Sequence, residues 1–271
     1  MTTTKTYARV LTIAGSDSGG CAGIQADIKA ASACGCFAAS AITALTVQNT
    51  LGVRAVHIPP VETVAGQIDA VLEDIGADAV KLSMLPTAEI VEAVAVSLER
   101  NKAQNIVLDP VMVATSGDIL IDDRAAQAII TRLLPMALLI TPNVPEAEFI
   151  TGEKITTEAD FPRAAAKLRE MGARSVLLKA GHLTGATLAD HLFTEDGRMV
   201  RYEYEFIDTP NTHGTGCSLS SAIASYLALG YPLKEAVAHA GDYLHKAILA
   251  GVEYKLGHGH GPVHHFYKYW E

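Results

Sequence analysis

Short, bare apolar runs alternate along this chain with longer stretches of helical periodicity, and that alternation restricts the fold more than any other feature. ARVLTIAG at 8–15, FAASAITALTV at 37–47, RAVHI at 54–58, DAVKLS at 78–83, NIVLDPV at 105–111, ALLITPN at 137–143 and SVLLKAG at 175–181 read as strands. Runs this short and this continuously apolar suit strands covered on both faces, the environment of a parallel sheet. Helical spacing covers Ala22–Cys34, Val61–Asp74, Thr87–Asn101, Asp122–Leu134, Glu158–Met171, Gly216–Leu229 and Leu233–Ala250. In such a βαβ series, right-handed crossovers place helices on both faces of one sheet. The expected class is therefore α/β, three layers around a mostly parallel central sheet. Residues 190–207, DHLFTEDGRMVRYEYEFI, alternate apolar and polar side chains around Asp196-Gly197 and read as a hairpin near the sheet edge. No linker or repeat interrupts the series, so 1–271 reads as a single domain.

Composition limits the partners. With 271 residues, 49% of them hydrophobic, the chain can bury one large core. A formal net charge of −9 argues against nucleic acid or an anionic membrane as the main partner, because both need clustered Lys and Arg. The opening MTTTKTYARVLTIAGS lacks the apolar stretch of a secretory signal, and no apolar run approaches the roughly 18–20 residues of a membrane span. A cytoplasmic location is expected. Cys21, Cys34, Cys36 and Cys217 are too few for a disulfide framework. Cys34-Gly35-Cys36 reads as two small core residues around a helix-ending glycine.

In an open α/β sheet, ligands bind beyond the carboxyl ends of the strands. AGSDSGGCAGIQAD follows the first strand as a glycine-rich turn that opens a helix. It is neither a Walker A loop, because Cys21-Ala22 stand where Lys-Ser/Thr must be, nor a dinucleotide fingerprint. Asp17 in GSDSG has the look of a nucleophile elbow, but such an elbow follows a later strand. Asp109 ends one strand and Glu146 follows another, so both could reach one crevice and hold hydrated magnesium, although each could equally cap a helix or turn. Lys179 ends SVLLKAG and could meet a phosphate. Gly214, Thr215 and Gly216 precede a helix, and the exposed amides and positive dipole end there suit an anion.

Taken in order, AGSDSGGCAGIQAD, TALTVQNT, LDPVMVATSG, LITPNVPEA, LLKAGHL and NTHGTGCSLSSAIA closely resemble the hydroxymethylpyrimidine/phosphomethylpyrimidine kinases of thiamine biosynthesis, which are ribokinase-like enzymes. The likeness covers nearly the whole chain. It implies a ribokinase-like fold and two phosphoryl transfers from ATP with Mg2+. The first goes to 4-amino-5-hydroxymethyl-2-methylpyrimidine and the second to its monophosphate. By matching positions, Gly15, Ala22, Gln48, Met84 and Val111 would surround the pyrimidine, and Gly214, Thr215 and Gly216 would form an anion hole. Asp109, Asn143, Glu146 and Lys179 would face magnesium and the ATP phosphates, with Cys217 beside the acceptor oxygen. A homodimer is also implied.

The residue chemistry supports that division. Gln48 offers a donor and an acceptor to an aminopyrimidine edge, and Met84 an adaptable apolar contact. Cys217 would sit in the first turn of a helix, where the dipole is expected to lower its pKa toward neutrality and make it a base. Cys217→Ala is then expected to lower kcat about 10²-fold or more. The sequence departs from the family pattern at Cys21, Ser83 and Ala180, where glycine is usual. The tail GHGHGPVHHF carries His258, His260, His264 and His265 and reads as an ordered or partly mobile segment, with no metal site implied. Two alternatives stay open: a pyridoxal/pyridoxine kinase of the same superfamily, and a non-catalytic ligand sensor on this fold.

Overall fold

In the computed structural model, which describes residues 5–112, 121–180 and 187–270, the apolar runs assemble into one nine-stranded sheet. The strands are β1 (Arg9–Asp17), β2 (Phe37–Asn49), β3 (Gly52–His57), β4 (Ala79–Leu82), β5 (Ile106–Leu108), β6 (Leu139–Ile140), β7 (Val176–Leu178), β8 (Thr187–Phe193) and β9 (Met199–Glu205). The helices are α1 (Gly23–Ala33), α2 (Val61–Ala70), α3 (Ala88–Arg100), α4 (Asp123–Ala128), α5 (Val144–Thr151), α6 (Phe161–Glu170), α7 (Thr215–Ala228) and α8 (Leu233–Gly251). Spatial order is β3-β2-β1-β4-β5-β6-β7-β8-β9. The six strands from β2 to β7 are parallel, and β3, β8 and β9 add antiparallel pairings at the two ends.

Successive strand side chains point to opposite faces, and the two cores follow that period. Leu11, Ile13, Val80, Leu82, Ile106 and Leu108 pack with α2, α3, α4 and α6 on one face. Val10, Ala79, Val107, Leu139 and Leu177 pack with α1, α7 and α8 on the other. This is the three-layer α/β architecture expected from the run pattern. Thr87 and Asp122 start α3 and α4 by accepting from Ile90 N (3.3 Å) and Ala125 N (2.7 Å). The hairpin also stands where expected, with Asp196-Gly197 in the turn between β8 and β9 and β9 at the edge.

One expectation needs correction, and one helix has no counterpart in the sequence pattern. RAVHI is not a parallel strand: β3 returns antiparallel on β2 and is mostly exposed. The turn at Asn49–Gly52 is too short for a crossover, and a β-branched run cannot by itself reveal strand direction. Helix α5 was missed because VPEAEFIT is eight residues with Pro145 near its start, too short for a clear 3.6-residue period.

After β1 the chain winds outward to β2 and β3, then crosses back to β4 on the other side of β1. That reversal opens a crevice at the carboxyl ends of β1 and β4. Residues 113–117 and 181–183 of two motifs quoted above lie outside the described residues.

Candidate active site

The glycine-rich turn between β1 and α1 is built around Asp17. Its carboxylate accepts from Gly19 N (2.8 Å), Cys21 N (2.9 Å) and Ala22 N (2.9 Å), which folds the loop back on itself. Asp17 is thus an anchor for backbone amides and not an exposed nucleophile. Asp17, Cys21 and His213 bring ligand atoms within 4.8 Å of one another. Three backbone donors already occupy the carboxylate, and burial pushes the Cys21 thiol up, with Asp17 adding to the effect, so this cluster suits loop anchoring better than a cation.

One wall of the crevice meets the expected pyrimidine residues. Gly15 lies so close to Met84 that a Cβ there would stand 2.7 Å from the Met84 sulfur. Gln48, at the end of β2, is tied to the glycine loop by Ser18, whose Oγ donates to Gln48 O (2.8 Å) and accepts from Gln48 N (2.9 Å). Val111 sits half-buried in a tight turn, its N–H donating to Asp109 O (2.8 Å). Ala22 is the residue before α1.

Opposite stands the Gly214–Gly216 turn at the head of α7. Gly214 has φ +84°, and a Cβ would overlap the Cys21 carbonyl oxygen, so only glycine lets this turn pack on the glycine loop. Thr215 N donates to Thr212 O (3.3 Å) and helical bonding begins with Ser218 N donating to Gly214 O (2.9 Å), so the Gly216 and Cys217 amides between them lie in the first turn, which has no intrahelical acceptor. A Cβ on Gly216 would lie 3.5 Å from Lys179 Nζ and 3.6 Å from Asp109 Oδ2. The turn, the lysine and the acid therefore converge.

Asp109 is almost fully buried and receives Thr141 Oγ1 (3.1 Å) and Lys179 Nζ (3.2 Å). Burial opposes its charge, but Lys179 and Lys81 outweigh it and hold the carboxyl below its ordinary range. Lys179 is held above its range in turn, since Asp109 and Glu146 outweigh its own burial. Glu146 shares a reciprocal cap with Asn143: Asn143 N donates to Glu146 Oε2 (2.8 Å) and Glu146 N to Asn143 Oδ1 (2.9 Å). Burial, with Asp109 adding to it, raises the Glu146 carboxyl to about 7. The two buried carboxylates repel one another and both are hard oxygen donors, the donor chemistry that a divalent cation takes.

The structure overturns the expected titration of Cys217. Cys217 is half-buried by exposure, yet desolvation around its sulfur, reinforced by Asp27 and Asp109, raises the thiol to about 11 against Lys81 and the Gly23 N–H, which favour the thiolate. A helix start favours an anion only when the surroundings do not desolvate it or crowd it with carboxylates.

Beneath Cys217 lies a pair that sequence reading missed. Lys81 Nζ is 2.9 Å from both carboxylate oxygens of Asp27, which also accepts from Thr12 Oγ1 (2.5 Å) and Ser221 Oγ (2.7 Å). The signal was present: a lysine inside the apolar strand DAVKLS has to find an anion. Ala180, another departure from the family pattern, is buried and donates its N–H to Asp190 (3.0 Å). Asp190 faces Lys179 and is raised to about 6 by burial.

A family model described as phosphomethylpyrimidine kinase matches residues 17–264. The hydroxymethylpyrimidine/phosphomethylpyrimidine kinase of Rhizobium meliloti is 50% identical over 262 residues, 96% of this chain and 98% of that protein. A Clostridium difficile phosphomethylpyrimidine kinase structure superposes with TM-score 0.78 at 43% identity, over 89% of this chain and 99% of its own. An ADP complex of Bacillus subtilis pyridoxal kinase superposes with TM-score 0.87 at 35% identity, over 96% of this chain and 98% of its own. By the extent of the family match and the identity to its relatives, this chain belongs to the phosphomethylpyrimidine kinase family.

Proposed function

We propose that the chain, acting over 1–271 as a single kinase domain, transfers the γ-phosphoryl group of ATP to the hydroxymethyl group of 4-amino-5-hydroxymethyl-2-methylpyrimidine. The resulting monophosphate is then the acceptor for a second transfer at the same site. The observation that carries this reading is the convergence of the Gly214–Gly216 turn, Lys179 and Asp109 beside the Gly15–Met84 wall. Chain similarity favours the pyrimidine kinases in identity and pyridoxal kinase in backbone superposition. Identity weighs more here, because side chains in the pocket select the substrate while the backbone is common to the superfamily.

The roles follow from position. Gln48 reads the aminopyrimidine edge, and Gly15, Ala22, Met84 and Val111 enclose the ring. The amides of Gly214, Thr215 and Gly216, with the Lys179 ammonium, face the charge that builds on the transferring phosphoryl group. Asn143 and Lys179 lie toward the ATP phosphates. Asp109 and Glu146 would hold Mg2+, which would supply positive charge against the ATP phosphates. Cys217 stands beside the acceptor oxygen as a neutral thiol. It orients the hydroxyl without taking its proton beforehand, which a loose transition state permits. The absence of a fixed negative charge at Cys217 also favours the second, phosphorylated acceptor.

A homodimer is supported by exposed apolar side chains on β2 and β3 (Leu45, Val47, Val56) and in the turn between them (Leu51). A cytoplasmic location is supported by four free cysteines. Among the described residues, no helix is long and apolar enough to cross a membrane.

The test is a competition assay with the pyrimidine and pyridoxal at equal concentrations. The pyrimidine is expected to have the larger kcat/KM. A larger value for pyridoxal overturns the assignment, and no turnover of either with ATP favours the sensor.

A further inference from the structure

The amide of Gln48 touches two neighbours. One end lies 3.0 Å from Thr46 Oγ1 and the other 3.2 Å from His213 Nε2. Oxygen and nitrogen of an amide are told apart only by their partners. With its oxygen toward Thr46 and its nitrogen toward His213, the amide would ask the Thr46 hydroxyl to donate twice. That hydroxyl has one proton, and Ser16 O already lies 2.9 Å away to accept it. The amide nitrogen must therefore face Thr46.

His213 leads independently to the same orientation. Asp17 Oδ2 lies 3.6 Å from His213 Nε2 and draws the ring proton to that nitrogen. An Nε2–H needs an acceptor, so the Gln48 oxygen must face it. The other nitrogen, Nδ1, is buried without a hydrogen-bond partner, as fits a bare lone pair.

We propose that His213, anchored by Asp17, is a positioning residue that fixes the donor and acceptor ends of Gln48 and so lets the pocket choose an aminopyrimidine over its oxo analogue. The inference rests on the pyrimidine-kinase reading above. An aminopyrimidine edge presents an amino donor beside a ring-nitrogen acceptor. The 4-oxo tautomer presents a carbonyl acceptor beside a ring N–H, the reverse pattern. A Gln free to turn over could serve either, and a Gln fixed by Thr46 and His213 serves one.

The C-terminal tail completes the device and gives GHGHGP a role. His213 N donates to Gly261 O (3.0 Å). His260 N donates to Thr50 O (3.1 Å), and Thr50 Oγ1 accepts from Gly259 N (3.2 Å), two residues beyond Gln48. One segment thus ties down both the end of β2, which carries Gln48, and the connection before α7, which carries His213. A Cβ on Gly259 would overlap the Thr50 carbonyl oxygen, so the segment approaches closely only as glycine.

The experiment measures kcat/KM for 4-amino-5-hydroxymethyl-2-methylpyrimidine and for its 4-oxo analogue, with thermal unfolding to confirm folding. Wild type is expected to favour the amino substrate by on the order of 10²-fold or more. His213→Phe keeps a ring but no proton, and should raise KM for the amino substrate about 10-fold with little change in kcat and drive the ratio toward unity. His213→Gln places an amide N–H near the lost one and should restore much of the ratio. Thr46→Val removes the other anchor and should move the ratio the same way. Added to Gln48→Leu, His213→Phe should cost little more than Gln48→Leu alone, because it acts through Gln48. Folded His213→Phe and Thr46→Val proteins that keep the wild-type ratio overturn the inference, as does an equal loss on both substrates. Wild type that neither binds nor turns over the amino substrate overturns the functional reading and this inference with it. Normal turnover with an unmoved ratio overturns only this inference.

Discussion

Raising the pH tests the role of Cys217 without disturbing the fold. With its thiol near 11, only about one site in 10⁴ carries a thiolate at pH 7, and that fraction grows tenfold with each pH unit. If the thiolate were the base, kcat would climb about 100-fold between pH 7.5 and 9.5 and vanish with Cys217→Ala. A neutral orienting thiol gives a different result. Under saturating pyrimidine and MgATP, kcat should change less than about twofold over that interval, and Cys217→Ala should cost less than about tenfold, below the usual range of acid–base catalysis. The assay is ADP release followed at each pH, for wild type and Cys217→Ala in parallel. Alkylation supplies the independent titration: its rate at Cys217 should rise tenfold per unit throughout, as only a raised thiol does, since an unperturbed one at about 8.5 would level off within the interval. A unit-slope rise in kcat that disappears in Cys217→Ala would refute the neutral-thiol argument and restore the expectation drawn from the helix start.

Other perturbations test the rest of the site. Lys179→Ala should lower kcat about 10²–10³-fold while leaving pyrimidine affinity nearly unchanged, as checked by single-turnover kinetics and calorimetry. Gly214→Ala should abolish most activity, because the new methyl overlaps Cys21 O at a positive φ; a near-normal kcat would show that the turn can shift. Asp109→Asn and Glu146→Gln should each raise the Mg2+ concentration for half-maximal rate, and titrations that overlay wild type remove the metal assignment. Glu146 is raised to about 7 in the fold, so its ionisation works against the folded state as pH rises from the ordinary carboxylate range through 7. Without Mg2+, Glu146→Gln should therefore raise Tm at pH 8 and change it little at pH 4. Lys81→Met strands Asp27 in the core and should cost about 3–5 kcal/mol in urea unfolding.

Much of this fold is written in local pattern. Bare runs such as NIVLDPV give parallel strands because only a sheet covered on both sides buries every residue. The ends of those runs carry Asp109 and Lys179, so strand boundaries alone pointed to the crevice. Direction was not legible for β3, where a three-dimensional turn and not a residue pattern decides the pairing. The Cys217 titration was not legible either, since it depends on Asp27 and Asp109, 190 and 108 positions away in sequence, and on the desolvation of the sulfur in the fold. His213 stood in the motif NTHGTGC without a role, because its partners Asp17 and Gln48 come from β1 and β2. Lys81 is the exception that could have been found: a charge inside a buried strand requires a counterion wherever that counterion lies in sequence.

The central claim is that one site phosphorylates the pyrimidine twice, and the second step tests it most directly. Purified 4-amino-5-hydroxymethyl-2-methylpyrimidine monophosphate supplied as sole acceptor with MgATP, followed by phosphorus NMR, should give the diphosphate and ADP in equal amounts. Persistence of the monophosphate while pyridoxal is converted to its phosphate under the same conditions would contradict the account.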